Sequence, residues 1–294
     1  MTADVSKRCI DVGRSALLTA AFSPVFLSLA LLWGSCLSND AEAQNTVPSG
    51  GSTWGEMRFP AAPQTEERNN LLLEGAVEHG VDFHRFSNDA VIDAFGKVNY
   101  SVDTESLDWN RKLKLGTGVR LRQGISSSGV LAVGVKYEID KRFVEETTLH
   151  GFQLFSEWSG SWQLTDGQAI PVQADYLVSF PGTTWGEVRY PASQEPAEEE
   201  DVILEGAIEQ AVALGSWEEP GLFNIYASLD YTVDSEGLAW NNSLTCAAGV
   251  RLKMPAGTGW LVQLGVEAAR ERRWISDQTD DVLFVYLNWS SQWH

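Results

Sequence analysis

Residues 113–140 read LKLGTGVRLRQGISSSGVLAVGVKYEID, and apolar and polar side chains alternate along two successive runs. In the first run the odd-numbered positions are mostly apolar up to Leu121, while Arg120 falls on the other face. In the second run Leu131 to Ile139 alternate in the same way. A period of two places the apolar side chains on one face of a β-strand. Because a strand buried on both faces would be apolar throughout, the sequence predicts strands with one polar face.

The same pattern occurs twice in the chain. YSVDTESLDWNRKLKLGTGVRLR from Tyr100 is matched, without a gap and 131 residues later, by YTVDSEGLAWNNSLTCAAGVRLK from Tyr231. Similarly, TWGEMRFPA from Thr53 is matched by TWGEVRYPA from Thr184. The predicted organisation is a flexible lead-in at 44–51, a first repeat at 52–162, a connector at 163–182 and a second repeat at 183–293.

Each repeat divides into about six alternating segments joined by short, hairpin-like loops. The segments are longer than the usual strand of about 5–6 residues, and they supply the ~9–11 residues that a tilted membrane-spanning strand needs. Two repeats give an even number of strands, and closing them into one ring leaves no exposed edge. The predicted fold is therefore an all-β, twelve-stranded antiparallel meander barrel built from two tandem six-stranded repeats.

The alternation leaves open which way the apolar faces point. If they point outward, they meet lipid and the barrel lies in the outer membrane. If they point inward, the protein is a soluble periplasmic or secreted β-barrel that binds an apolar or carbohydrate ligand. Charges of both signs on the polar face, and aromatic residues such as Trp54 and Trp158 near strand ends, favour the membrane, where they would form interfacial girdles.

The first residues are typical of an export signal. Lys7 and Arg8 precede a long apolar stretch, and Ala41-Glu42-Ala43 fits a small-residue cleavage pattern. The sequence therefore predicts a signal peptide at 1–43.

The composition and motifs exclude several functions. The net charge of −19 argues against nucleic acid as a partner, because no basic surface offsets it. The four histidines have no metal-binding spacing, and neither a nucleophile elbow nor a phosphate-binding or dinucleotide-binding motif is present. We therefore expect no catalytic residue, no cofactor and no metal site.

Charged residues that recur in both repeats are the candidate lumen network. The candidates are Glu74, Glu78, Arg120 and Arg142 in the first repeat, and Glu205, Glu209, Arg251 and Arg273 in the second. We interpret them as an interior network in which arginine offsets the desolvation of glutamate. A lumen that selects solutes is the alternative.

A second candidate is the hairpin between the third and fourth strands of each repeat. It carries Trp109 and Asn110 in the first repeat and Trp240 and Asn241 in the second. The simpler interpretation is a turn in which Asp and Asn bind local backbone groups. The alternative is a carbohydrate-binding loop with tryptophan as a stacking surface.

The recurring motifs WGExR(F/Y)P, LEGA(V/I)E, DxxxLxWN and GVRL, with a final WxxxW, cover nearly all of 52–293. With them the chain resembles a largely uncharacterised family of duplicated envelope proteins of Gram-negative bacteria. It is more distantly similar to the C-terminal barrels of exopolysaccharide-secretion proteins and of a phage-adsorption outer-membrane protein. The resemblance implies a porin-like, non-enzymatic barrel in outer-membrane lipid, acting as a narrow or plugged channel or scaffold. It also implies polysaccharide or its export machinery as a partner.

Overall fold

The computed structural model describes residues 49–62, 69–126, 128–164, 170–173, 176–216 and 222–293. The predicted signal peptide at 1–43 lies outside the described residues, as does the predicted lead-in up to residue 48. Within the described part of the chain, no helix is long and apolar enough to cross a membrane.

The described residues form fourteen strands and one turn of 3-10 helix at Asp108–Asn110. The strands are β1 (Ser49–Phe59), β2 (Leu72–Arg85), β3 (Val91–Asp103), β4 (Lys112–Ser126), β5 (Gly129–Arg142), β6 (Thr148–Gln163), β7 (Ile170–Gln173), β8 (Tyr176–Ser179), β9 (Pro181–Tyr190), β10 (Ile203–Ser216), β11 (Phe223–Asp234), β12 (Ser243–Pro255), β13 (Trp260–Arg273) and β14 (Gln278–Trp293).

Twelve of these strands close into an antiparallel barrel. Strands β1 to β6 pair in chain order, β6 pairs with β9, β9 to β14 pair in chain order, and β14 returns to β1. The predicted all-β, twelve-stranded antiparallel meander is therefore confirmed. Because β1–β6 and β9–β14 match the two repeats, each repeat supplies half of the wall.

The repeat boundaries differ from the prediction at two places. Strand β1 begins at Ser49, so residues 49–51 belong to the barrel rather than to a flexible lead-in. The predicted connector contains the β7–β8 hairpin and the first two residues of β9. This hairpin forms because β10 continues beyond the start of β9, and its extra length pairs with β8.

The apolar faces point outward. Alternate residues of β4, β5 and β6 expose their side chains, and Phe152 is 71% exposed. The exposed set in these strands includes Leu115, Val119, Leu121, Val133, Val135 and Leu154. The largest fully buried side chains are all polar, namely Asn70, Asp93, Asp201 and Asn224. The alternative of a soluble barrel with an apolar interior is therefore wrong, because the interior of this barrel is polar.

Tryptophan rings cover glycines where the two repeats meet. A Cβ atom added to Gly55 of β1 would lie 2.2 Å from the Cζ2 atom of Trp289 in β14. At the other junction between the repeats, which we also call a seam, a Cβ atom added to Gly186 of β9 would lie 2.1 Å from the Cζ2 atom of Trp158 in β6. Trp293 over Gly51 and Trp162 over Gly182 complete the set. The final WxxxW of each repeat thus packs on two glycines of the next repeat, and this contact is used at both seams.

The two ends of the barrel differ. At the termini end, where β1 begins and β14 ends, most connections are short, such as 86–90 and 256–259. At the opposite end, which we call the loop end, connections 60–71 and 191–202 are longer. In bacterial outer-membrane barrels the short turns face the periplasm. This rule predicts that the loop end faces the outside of the cell.

Candidate functional site

The barrel interior holds a network of ion pairs with Arg120 at its centre. Arg120 is 8% exposed and contacts three carboxylates, with Nη2 2.6 Å from Glu78, Nε 3.0 Å from Asp93 and Nη1 2.9 Å from Glu157. Its guanidinium also lies 4.5 Å from the ring centroid of Phe95. Since β2, β3, β4 and β6 contribute, the arginine ties together four strands of the first repeat.

The second repeat contains a simpler version of this cluster. Arg251 forms a bidentate ion pair with Glu209, and its guanidinium lies 4.4 Å from the ring centroid of Tyr226. The Tyr226 hydroxyl donates to Glu267 at 2.7 Å and lies 2.8 Å from the Tyr286 hydroxyl. Of the eight candidate network residues, the structure therefore brings Glu78 to Arg120 and Glu209 to Arg251.

The other four candidates do not join these clusters. Glu205 pairs with Arg189, Arg142 pairs with Glu195, and Arg273 is 3.0 Å from Glu271. Glu74 lies instead on the wall of a cavity. Arg142 and Glu205 are nevertheless linked to each other by a chain of ion pairs that runs through Asp140, Lys114, Glu138, Lys136, Glu187 and Arg189. The interior charges thus form several networks rather than one, because residues at different heights along a strand meet different neighbours.

A cavity of about 580 Å³ lies inside the barrel. It is lined from both repeats by Trp54, Glu74, Gly75, Asn99, Tyr100, Ser101, Lys112, Lys114, Trp185, Glu205, Gly206, Asp230, Tyr231 and Thr232. Trp54 of β1 and Trp185 of β9 are equivalent residues. Because their strands are six places apart in a ring of twelve, they lie on opposite walls.

The placement of Trp54 corrects an expectation. Trp54 was predicted in a lipid-facing girdle, but it follows the alternation of Glu56 and Arg58, whose side chains pair inside the barrel. Its neighbour Gly55 faces outward beneath Trp289. In the WGEMR motif Trp54, Glu56 and Arg58 are two residues apart and therefore lie on the same face of β1. This spacing was the sequence signal for a lumen position.

The hairpins at the loop end are organised by a buried aspartate. In the first repeat the Asp103 carboxylate accepts hydrogen bonds from Asn110 Nδ2 at 3.3 Å and from the Leu107 amide at 3.2 Å. Asn110 is buried, whereas the neighbouring Trp109 is 45% exposed. Asp103 therefore binds one backbone amide of the turn and the side chain of Asn110, and Trp109 lies at the surface.

The second hairpin differs by one position. Asn242, rather than Asn241, donates to the buried Asp234, at 2.8 Å. Asn241 and Trp240 both donate to the carboxylate of Glu198, at 3.1 Å and 3.0 Å. The predicted pair Trp240 and Asn241 therefore anchors the loop at 191–202.

Acidification is expected to loosen this anchor. Burial alone would raise the pKa of Glu198, but hydrogen bonds from Trp240, Ser193 and Asn241 lower it overall. A carboxylate with a lowered pKa stabilises the fold above its unfolded value of about 4.3, and the contribution is lost as the pH falls through the folded pKa. Losing ~1 kcal/mol of hydrogen bonding would lower the protection factors of the amides in 191–202 roughly fivefold, where the protection factor is the intrinsic exchange rate at that pH divided by the observed rate. Hydrogen exchange at pH 7 and below pH 4 measures this.

Two variants make that measurement specific. Glu198→Gln keeps one acceptor and removes the titrating group, so its protection factors in 191–202 should change little between the two pH values. Trp240→Phe should speed exchange at pH 7 already. An acid response that is unchanged in Glu198→Gln would contradict the assignment.

The described part of the chain holds no group of three or more His, Cys, Asp or Glu side chains arranged to bind a metal ion. The interior offers charged groups, hydroxyls and aromatic rings.

A closed sheet with an apolar outer surface and a charged interior defines a class of protein. In lipid every backbone polar group must be satisfied internally, and a closed barrel achieves this. Apolar-out and polar-in alternation is the mark of the outer-membrane type. The chain is an outer-membrane β-barrel protein.

No family model matches the sequence, and no curated protein matches it. Among solved structures it is similar to an outer membrane channel from Pseudomonas putida F1, with 10% identity, a TM-score of 0.43, and coverage of 87% of this chain and 98% of that one. It is also similar to the beta domain of the Bordetella autotransporter BrkA, with 12% identity, a TM-score of 0.39, and coverage of 83% and 98%. A third is the translocator domain of the autotransporter NalP from Neisseria meningitidis, with 10% identity, a TM-score of 0.37, and coverage of 92% and 98%.

Proposed function

We propose that this barrel is a non-enzymatic, narrow channel that binds and passes small polar solutes with sugar-like rings. The observation that carries the proposal is the lumen cavity of about 580 Å³ with a tryptophan on each of two opposite walls. Small-molecule sites usually occupy ~300–1,000 Å³. A sugar ring presents an apolar face that stacks on an indole, and its hydroxyls bind surrounding carboxylates and amides.

The charges that line the cavity support a polar solute. Lys112 and Lys114 lie on β4, whereas Asp230 lies on β11. The equivalents of the two lysines in the second repeat are Ser243 and Thr245. The first repeat thus lines the cavity with two lysines and Glu74, and the second repeat lines it with Glu205 and Asp230. The lining therefore offers charges of both signs to a polar solute.

The buried rings support a narrow rather than a wide pore. Phe95 and Phe155 pack edge to face at 5.7 Å between centroids, and Tyr226 and Tyr286 are joined through their hydroxyls. All four are at most 6% exposed, so they fill interior space beside the two arginine clusters.

A link to surface-polysaccharide export, with export machinery as a partner, stays a prediction from the resemblance. The cavity supports only its chemical part, because stacking rings and hydroxyl-binding groups suit a sugar unit.

Removing both lumen tryptophans is expected to weaken sugar binding without closing the channel. Purified barrel in planar lipid bilayers should give discrete conductance steps that glucose or glucuronate reduces. In the Trp54→Ala, Trp185→Ala double variant the sugar concentration for half-maximal block should rise roughly tenfold or more, since each ring contributes about 1 kcal/mol of stacking. Current recorded against sugar concentration measures this.

Trp274→Ala is the matched control, because this exposed tryptophan lies in the turn between β13 and β14, away from the cavity lining. It should leave the block unchanged. Wild-type protein that inserts but never conducts would contradict the channel, and equal block in the double variant would contradict the sugar site.

A further inference from the structure

Each repeat buries one aspartate under its loop-end hairpin, and the first repeat neutralises it. The carboxylate of Asp103 receives hydrogen bonds from Asn70 Nδ2 at 2.7 Å, Asn110 Nδ2 at 3.3 Å and Arg111 Nε at 3.3 Å. Arg111 is the only cation among these side chains, and it balances the single negative charge.

The second repeat keeps the aspartate but loses its compensation. At the offset of 131 residues, Asn70 is replaced by Asp201 and Arg111 by Asn242. Asn242 donates to Asp234 at 2.8 Å and brings no charge. The equivalent cluster therefore carries two negative charges and no positive one. Asp201 is 0% exposed and Asp234 is 9% exposed, so water does not compensate these charges.

Asp201 is held in the same way as Asn70. Its Oδ1 atom accepts from the Ser235 amide at 2.9 Å, the Ser235 hydroxyl at 2.7 Å and the Glu236 amide at 3.2 Å. Asn70 Oδ1 accepts from the equivalent three groups of residues 104 and 105, each at 3.0 Å. The Oδ2 atom of Asp201 thus takes the place of the Asn70 amide nitrogen, which faces the aspartate.

That Oδ2 atom is buried and has no hydrogen-bond partner among the described residues. Its counterpart in the first repeat donates a hydrogen bond, whereas a carboxylate oxygen has nothing to donate. An unsatisfied buried charge costs several kcal/mol, and a bound cation would remove that cost.

We propose that a hard divalent cation, Ca²⁺ or Mg²⁺, binds between the carboxylates of Asp201 and Asp234. Its charge of two equals the charge that the cluster lacks. Carboxylate oxygens are the preferred ligands of both ions, and Mg²⁺ is commonly bound through one or two carboxylates with water in its other positions. Two oxygens at ~2.1 Å from Mg²⁺ and at a right angle lie about 3 Å apart, close to the 2.7 Å between Asn70 and Asp103.

The surrounding loop supplies a field that favours a cation. Residues 195–201 read EPAEEED, whereas the equivalent residues 64–70 read QTEERNN. The additional carboxylates concentrate cations at this loop and not at its counterpart. The bound ion joins the loop at 191–202 to the hairpin at 235–242, a connection that Asn70 and Asp103 make directly in the first repeat.

The test is the cation dependence of stability in the purified full-length barrel. The protein is stripped with EDTA, exchanged into chelator-free buffer, and unfolded with guanidinium at increasing Ca²⁺ or Mg²⁺. At a cation concentration of 100 Kd, the unfolding equilibrium constant of the wild type should fall about a hundredfold. Titration calorimetry of the folded barrel should show one site.

Asp201→Asn converts the site to the chemistry of the first repeat, so this variant should lose the cation response and the calorimetric site. It should also be at least as stable as cation-free wild type. Glu200→Gln is the matched control, because it removes one exposed charge from the same loop and should keep the response.

Three outcomes would overturn the proposal. The first is wild type without a cation response. The second is a response that Glu200→Gln abolishes as fully as Asp201→Asn, which would indicate diffuse surface binding. The third is stability that rises on acidification in wild type but not in Asp201→Asn, without any cation response, because a shared proton would then join the two carboxylates. That rise is opposite in sign to the acid effect expected at Glu198.

Discussion

Replacing Arg120 with methionine is expected to lower the free energy of unfolding by about 3–5 kcal/mol. Methionine fills most of the side-chain volume but leaves the carboxylates of Glu78, Asp93 and Glu157 without their shared partner. Removing one member of a buried ion pair is costly because the remaining charge stays desolvated. Guanidinium unfolding in detergent micelles, followed by tryptophan fluorescence, measures the change.

The second repeat offers a matched control for this prediction. Arg251 occupies the equivalent position but pairs with the single carboxylate of Glu209. The equivalents of Asp93 and Glu157 are Asn224 and Asn288. Arg251→Met should therefore cost clearly less than Arg120→Met. Equal costs for the two variants would show that ring stacking or volume, rather than charge compensation, explains the contribution of Arg120.

Gly55→Ala is expected to destabilise the closed barrel by about 1–3 kcal/mol. The new methyl group would lie 2.2 Å from the indole of Trp289, so the ring must leave its place over the seam between β14 and β1. Gly186→Ala should have a similar effect at the other seam, where Trp158 covers the glycine. The loss of heat-modifiable mobility on gels, measured against denaturant, reports closure.

Gly96→Ala is the control for the glycine prediction. Gly96 is an exposed strand glycine, and a Cβ atom there would meet nothing within 4 Å. This variant should differ from wild type by less than about 0.5 kcal/mol. In Trp289→Ala the additional cost of Gly55→Ala should largely disappear, because the clashing ring is absent. If the glycine costs the same with and without the ring, the seam contact is not its cause.

Most of the architecture could be predicted from local patterns. Alternation such as that of Leu131 to Ile139 indicates a strand with two unlike faces, whatever surrounds it. The uninterrupted offset of 131 residues implies two equal halves, and an even strand number allows closure without edges. The β7–β8 hairpin was not predictable in this way, because it depends on a partner strand that extends beyond the barrel.

The candidate charges show where sequence reasoning ends. Glu78 and Arg120 recur in both repeats, and this recurrence was enough to select them. Their contact joins β2 to β4 across an intervening strand, so it depends on register and barrel curvature. Asp93 and Asp201 were not predicted, because their equivalents Asn224 and Asn70 are uncharged and neither residue recurs in the other repeat.

The period of the strands, the number of barrel strands and the duplication follow from the order of side chains along the chain alone. The outward direction of the apolar faces is visible in the folded barrel and not in the sequence, since a period of two is the same for either direction. The folded barrel also places Trp54 in the lumen and the Oδ1 atom of Asp201 against Ser235 and Glu236. These facts depend on register and closure, which bring together residues that are far apart in the chain.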